Sequence, residues 1–222
     1  MRTLIFVLTF LVFKIGYCGE ADSLLNTYLD TYLGLEDFEV QFQMTSGDTL
    51  GQESGLVFDH HIIKRGSSLF VAQDNFELLQ NDRYFIYVSH LVKKVIARPV
   101  ASASTGPLSS GAASTLTALE LIYKDTTKVS YQSGDGNISF ELCYDISRPS
   151  VMFNKIILTF EASGALKEAK YYHRGEDRVS RYVYRLLSGD VSASAAYLEE
   201  SRYLAPGGGL QSVWHGYTLE KH

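Results

Sequence analysis

The chain has 222 residues with 20 Lys and Arg against 25 Asp and Glu, a net charge of −5 that argues against nucleic acid as a partner. Its length suits one domain with a sizeable core, and 15 Tyr and 12 Phe against four Pro favour β structure.

Residues 1–19 do not read as part of that domain. Arg2, the apolar run LIFVLTFLVF and the small residues of GYCGEA have the layout of a secretory signal peptide, with cleavage between 18 and 21, after either Cys18 or Ala21. Tyr17 stands where a lipoprotein acylation box wants a small residue, so lipid anchoring through Cys18 is the lesser reading. Removal of this segment takes Arg2 and Lys14 and no acid, which moves the net charge from −5 to −7. If Cys18 leaves with it, Cys143 is the one remaining cysteine and reads as a small buried apolar residue.

In DSLLNTYLDTYLGL, Leu24, Leu25, Tyr28, Leu29, Tyr32 and Leu33 share one face of a predicted helix, capped by Asp22 or Ser23 and stopped at Gly34. The period then changes to two: in EVQFQMT, Val40, Phe42 and Met44 alternate with polar residues, the pattern of a strand with one wet face. SGLVFDHHII, SSLFVAQ, FELLQ, RYFIYVSHL and KKVIARPV follow as an antiparallel meander. The small, uncharged stretch ASASTGPLSSGAAST predicts a loop, including Ser102 to Thr115, and TLTALELIYKD a short helix. Alternation resumes in ISFELCYD, KIILTFE and SRYVYRLL, with hairpin turns at SGDGNI and EASGAL, where Gly136 and Gly164 supply positive φ. A tail from about 188 reads as loop and then a last edge strand from Trp214 to Leu219.

The order is helix, about five strands, loop and helix, about four strands, tail. It predicts a single domain over 20–222 of the α+β class, mainly β: a strongly curved antiparallel sheet, an unclosed half-barrel, with helices on its concave face.

Chemistry of the catalytic kinds has no positive support. His60 and His61 are adjacent in a strand and point to opposite faces, and His90, His173 and His215 stand alone, so no metal site is predicted. LSSGAAS has no nucleophile elbow, and PGGGL lacks the strand and helix of a phosphate loop. The expectation is a protein without catalytic residues, cofactor or metal. The apolar side of the strands is either a filled core or, where helices cover it incompletely, a cavity for an acyl chain or another apolar ligand.

The run KRGSSLF...FELLQNDRYFIYVSHLVKKVIA, with the order of elements, resembles the LolA-like periplasmic lipoprotein carriers, most closely the Bacteroidetes type, over about residues 22–187. Gly66 replaces the family's proline, one residue is added before Leu69 and Phe70, and Tyr84, Phe85 and Tyr87 stand where tryptophan is common. The resemblance implies a periplasmic carrier or chaperone, a half-barrel with lid helices over its concave face, for a lipidated protein or lipid ligand. Inner- or outer-membrane partner proteins and a monomeric state go with it. Val40, Phe42, Met44, Phe58, Phe70, Phe140, Leu142, Ile156, Leu158, Phe160, Tyr182 and Tyr184 are the candidate lining, and Arg65 falls on the arginine that latches the lid through backbone carbonyls. The alternative is a structural or protein-interaction module using the same sheet with a filled core, binding through the tail and the Ser102–Thr115 loop.

Overall fold

In a computed structural model, the structure describes residues 18–31, 35–100, 126–147 and 152–221. The predicted loop at 101–115, the short helix after it and most of the predicted signal peptide lie outside the described residues. The first element is the helix α1, Cys18–Leu29. It starts several residues before the predicted cap, so Asp22 and Ser23 sit inside it, and Ser23 accepts a bond from the Thr27 hydroxyl through its carbonyl.

All strands join one curved sheet that does not close on itself. In chain order they are β1 Phe38–Gly47, β2 Glu53–Arg65, β3 Ser68–Gln73, β4 Phe76–Gln80, β5 Tyr84–Ser89 and β6 Lys94–Pro99, then β7 Thr126–Gly134, β8 Asn137–Tyr144, β9 Phe153–Glu161, β10 Leu166–His173, β11 Val179–Ser188 and β12 Thr218–Lys221. The spatial order is β12-β6-β5-β4-β3-β2-β1-β11-β10-β9-β8-β7. Two antiparallel meanders, β1–β6 and β7–β11, are thus joined side by side through β1 and β11, and β12 adds to β6 in parallel.

Twelve strands among the described residues exceed the nine or so predicted together with the tail's edge strand. β7 was missed because TTKVSYQSG has one buried apolar residue, Val129, on an edge strand. The β7–β8 turn has the predicted form, with Asp135 at φ 53° and Gly136 at φ 73°, both in the region a tight hairpin needs.

Register separates the two faces. Val40 is opposite Ile62 and Leu187, Phe42 opposite His60 and Tyr184, and Met44 opposite Phe58 and Tyr182. Following the pairs outward puts Ala169, Tyr171, Leu158, Ile156, Phe140 and Leu142 on this same side. Here α1 packs: Ala21, Leu25 and Leu29 are sealed against Phe140, Leu142, Ile156, Leu158 and Phe160. Full burial of each leucine contributes about 1.5–3 kcal/mol, which holds a helix too short to be stable alone. The reverse face of β8–β10 is the predicted wet side, with Lys155 bridged to Glu141 at 3.2 Å and Lys170 to Glu168 at 3.0 Å.

The meander β2–β6 buries apolar side chains on both faces. Ile63, Phe70, Leu79, Ile86, Val88 and Val95 point to the reverse face and are buried there under the tail. The tail is no simple loop: 3-10 helices at Ser192–Leu198, Glu200–Arg202 and Ser212–Trp214 press Val191, Leu198, Tyr203, Leu204 and Trp214 onto those strands. The half-barrel is therefore covered on different faces in its two halves.

Candidate functional site

Between the core under α1 and the core around Phe38, Val40, Phe42, Ile62 and Leu69 lies a band of aromatic side chains on the α1 face. It is built by register, with one ring each from β9, β10 and β1 and two from β11. Phe153 meets Tyr171 at 5.2 Å between centroids, Tyr171 meets Tyr182 at 5.0 Å, and Phe42 meets Tyr182 at 5.6 Å and Tyr184 at 5.7 Å. Beyond them His60 stacks on Phe42 at 4.6 Å, its Nδ1 2.9 Å from the Gln73 amide. The spacings are those of tilted and edge-on aromatic pairs.

The electrostatics of this band are those of a neutral wall. Burial pushes the Tyr184 phenol well above its ordinary pKa, and it raises Tyr171 and Tyr182 as well, so all three stay uncharged at neutral pH. Burial also lowers the His60 pKa, against the opposing charges of Asp74 and Asp59, which favours the neutral ring. Although protein surrounds the phenols closely enough to shift them, none of the three tyrosines is fully buried. The band is therefore a partly buried aromatic surface, neither sealed like the core under α1 nor free in solvent.

The predicted lining divides three ways. Phe140, Leu142, Ile156, Leu158 and Phe160 lie on the correct face but are at most 1% exposed beneath α1 and act as core. Val40 and Phe42 are likewise buried, at 2% and 6% exposure, whereas Met44, Phe58, Tyr182 and Tyr184 stay partly open on the same face, with Phe58 37% exposed at its rim. Phe70 belongs to neither group: it faces the tail, 5.1 Å from the Tyr197 ring and 5.6 Å from the Arg202 guanidinium, and is removed from the lining. Tyr171 and Phe153 join it. Tyr171 is in phase with Ala169 on β10, whereas Phe153 is out of phase with Ile156 and Leu158 in sequence and reaches their face only through the register shift at Tyr172/His173.

Arg65 does not have the geometry of a latch. It is exposed, it alternates with Lys64 toward the reverse face, and it makes no hydrogen bond or ion pair among the described residues. The neighbouring groups do the tying: the Lys64 ammonium donates to the Glu36 carbonyl, and the Gly66 N–H donates to the Asp37 carboxylate at 2.7 Å. These bonds fasten the β2–β3 turn to the segment between α1 and β1.

The reverse face carries polar anchors for the tail that no motif announced. Glu39, 5% exposed, accepts from the Ser194 hydroxyl, from Nε2 of His61 at 2.7 Å and from the Gln41 amide at 3.0 Å. Burial alone would raise its pKa, yet these bonds leave it below the ordinary value. Glu77 accepts from the Tyr203 hydroxyl at 2.7 Å and from Arg202 at 3.2 Å, and Asn81 donates to the Leu198 carbonyl at 3.2 Å. Next to the Glu39 group an open, mostly polar cleft of about 400 Å³ is lined by Gln41, Asp59, His61, Arg185 and Tyr197, and also by Phe42 and His60 of the aromatic band. Among the described residues no cluster of three or more His, Cys, Asp or Glu fits a metal ion. Burial, and then the charge of Glu141, raise the Cys143 thiol, which suits an inert side chain.

No protein-family model matches the chain, and no curated protein does. Among solved structures it is similar to LprF from Mycobacterium bovis, at 11% identity and a TM-score of 0.46 over 78% of this chain and 95% of that one. It is also similar to a LolA superfamily protein from Nitrosomonas europaea, at 14% identity and a TM-score of 0.32 over 82% and 98%. A putative outer membrane lipoprotein-sorting protein domain from Vibrio parahaemolyticus is similar at 10% identity and 0.30 over 84% and 97%. Likenesses this distant concern the fold alone and carry nothing about ligand or partner. The architecture is a mainly β, unclosed curved sheet with an N-terminal helix on one face, the half-barrel that the LolA-like resemblance implied.

Proposed function

We propose that this chain is an exported, non-enzymatic carrier or chaperone that holds an acyl chain or a similar apolar ligand against the α1 face, as lipoprotein-localisation carriers do. The observation that supports this is the aromatic band itself: neighbouring rings from β9, β10, β11 and β1, uncharged and only partly buried. An alkyl chain laid along Phe42, Met44, Tyr171, Tyr182 and Tyr184 would gain roughly 25 cal/mol for each Å² of apolar surface it covers. Residues 1–19 serve as the export signal in this reading, and the destination is the periplasm. Cleavage after Cys18 keeps Ala21, which is fully buried in the α1 core, whereas cleavage after Ala21 removes it.

The test is uptake of a fluorescent fatty acid by the purified mature chain, with solvent extraction and mass spectrometry for a co-purified lipid. Tyr182→Ala should weaken uptake about tenfold, the order expected from losing part of one ring's contact area. Tyr172→Ala, on the reverse face over Lys155, should leave it unchanged. Absence of uptake and of extractable lipid would refute the carrier. The sealed core beneath α1 favours the second reading in that event, a filled sheet serving as a protein-interaction module.

A further inference from the structure

β2 is longer than the strand beside it. Its 13 residues pair with β1 as far as Glu53, but β3 covers only His60 to Arg65. From Gly55 to Asp59 the edge of β2 on the β3 side therefore carries backbone amides and carbonyls with no strand to bond, among the described residues. The side chains there are apolar and open to solvent: Leu56 is 63%, Val57 47% and Phe58 37% exposed, with Leu50 83% exposed at the tip of the β1–β2 hairpin. Native sheets blunt such edges with charged residues, proline or a covering segment; Leu56–Phe58 carries no charge and no proline, and no strand covers it among the described residues.

What fits this edge is constrained at one end. A strand added along Gly55–Asp59 runs into Gln73, which already occupies the place opposite His60. The incoming strand must therefore turn away after five residues. A second copy of β2 does this: paired antiparallel about Val57, it sets Leu56 opposite the partner's Phe58, Val57 opposite the partner's Val57, and Gly55 opposite the partner's Asp59. Two cross-strand apolar pairs and one valine pair result, with no like charges opposed. Gly55 itself, at φ +74°, bends the chain at the residue where it would otherwise collide with Gln73. We infer that the exposed Gly55–Asp59 edge of β2 is a self-association site, where two copies of the chain join antiparallel strands about a two-fold axis at Val57. This departs from the monomer expected from sequence. Five residue pairs make a small interface, so the dimer forms only at raised protein concentration.

Sedimentation velocity on the mature chain is expected to show the dimer fraction rising with concentration. Val57→Lys should abolish that rise while leaving the circular dichroism spectrum unchanged, since Val57 is half exposed. Val57→Cys should cross-link into a covalent dimer on mild oxidation, because the two-fold brings that position against itself. Leu50→Cys at the hairpin tip, and the wild-type chain with Cys143 alone, should not. A wild-type chain that stays monomeric throughout, a dimer that survives Val57→Lys, or cross-linking as efficient from position 50 as from 57, would each overturn the proposal. Capture of a strand from an unrelated protein by a strictly monomeric chain would do so too.

Discussion

Replacing Glu39 by glutamine tests how the tail is held. The carboxylate lies between β1 and the Ser192–Leu198 helix and accepts three hydrogen bonds, from Ser194, His61 and Gln41. Glutamine keeps the size, and it keeps the bonds if its oxygen faces His61 and Gln41 while Ser194 turns to accept from its amide. What is lost is the charge: bonds to an ionised group contribute about 1.5–3 kcal/mol each, neutral ones about 0.5–1.5, so Glu39→Gln should cost about 2–4 kcal/mol. For a domain near 200 residues that is a fall in Tm on the order of 10 °C. Acid supplies a second signature. Because the folded carboxyl sits below its ordinary value of 4.5, the stability it contributes is complete above that pH and is lost as pH falls through the folded value. The difference between wild type and Glu39→Gln, followed by chemical denaturation, should therefore be full at pH 7 and close progressively below 4.5. Equal stabilities at neutral pH, or a gap that persists unchanged into acid, would refute this account of the tail's attachment.

Deleting residues 189–222 should uncover Leu79, Ile86, Val88 and Val95, all at 0% exposure in the intact fold, and yield a chain that binds hydrophobic dyes and aggregates in a light-scattering assay. Arg65→Leu should leave fatty-acid uptake and Tm unchanged. Lys64→Met, by removing the bond to the Glu36 carbonyl, should cost up to about 1 kcal/mol in a denaturation curve.

Where each apolar side chain would find its cover decided how far the sequence could be read. Leu25, Leu29, Phe140, Leu158 and Phe160 follow simple helix or strand periods and meet one another, so the α1 half of the half-barrel was legible. β4 and β5 are short and apolar on both faces, with Leu78 and Tyr87 on one side and Leu79, Ile86 and Val88 on the other. A pattern of that kind shows burial on two faces without naming what lies on the second. The tail that supplies this cover is a series of 3-10 turns with no sustained period, so only its aromatic residues hinted at packing. Phe70 was placed on the wrong face for the same reason. Arg65 was chosen over Lys64 by motif position, while strand alternation, which puts adjacent residues on opposite faces, carried the information that separates them. Within the aromatic band, Phe42, Tyr182 and Tyr184 were readable from alternation, and Phe153 was concealed by the register shift at Tyr172/His173.

The parallel pairing of β12 with β6 also sets an order of assembly. Lys94–Ala97 wait for Thr218–Lys221, more than a hundred residues later in the chain, and the reverse face of β3–β6 waits with them for Tyr203 and Trp214. A chain emerging from its amino end can pair the first meander early from local contacts, but it must carry that meander's apolar back uncovered until residues 203–221 have been made. Closing of the tail therefore comes after the first meander has formed, and until it closes the back of β3–β6 is an apolar surface open to aggregation.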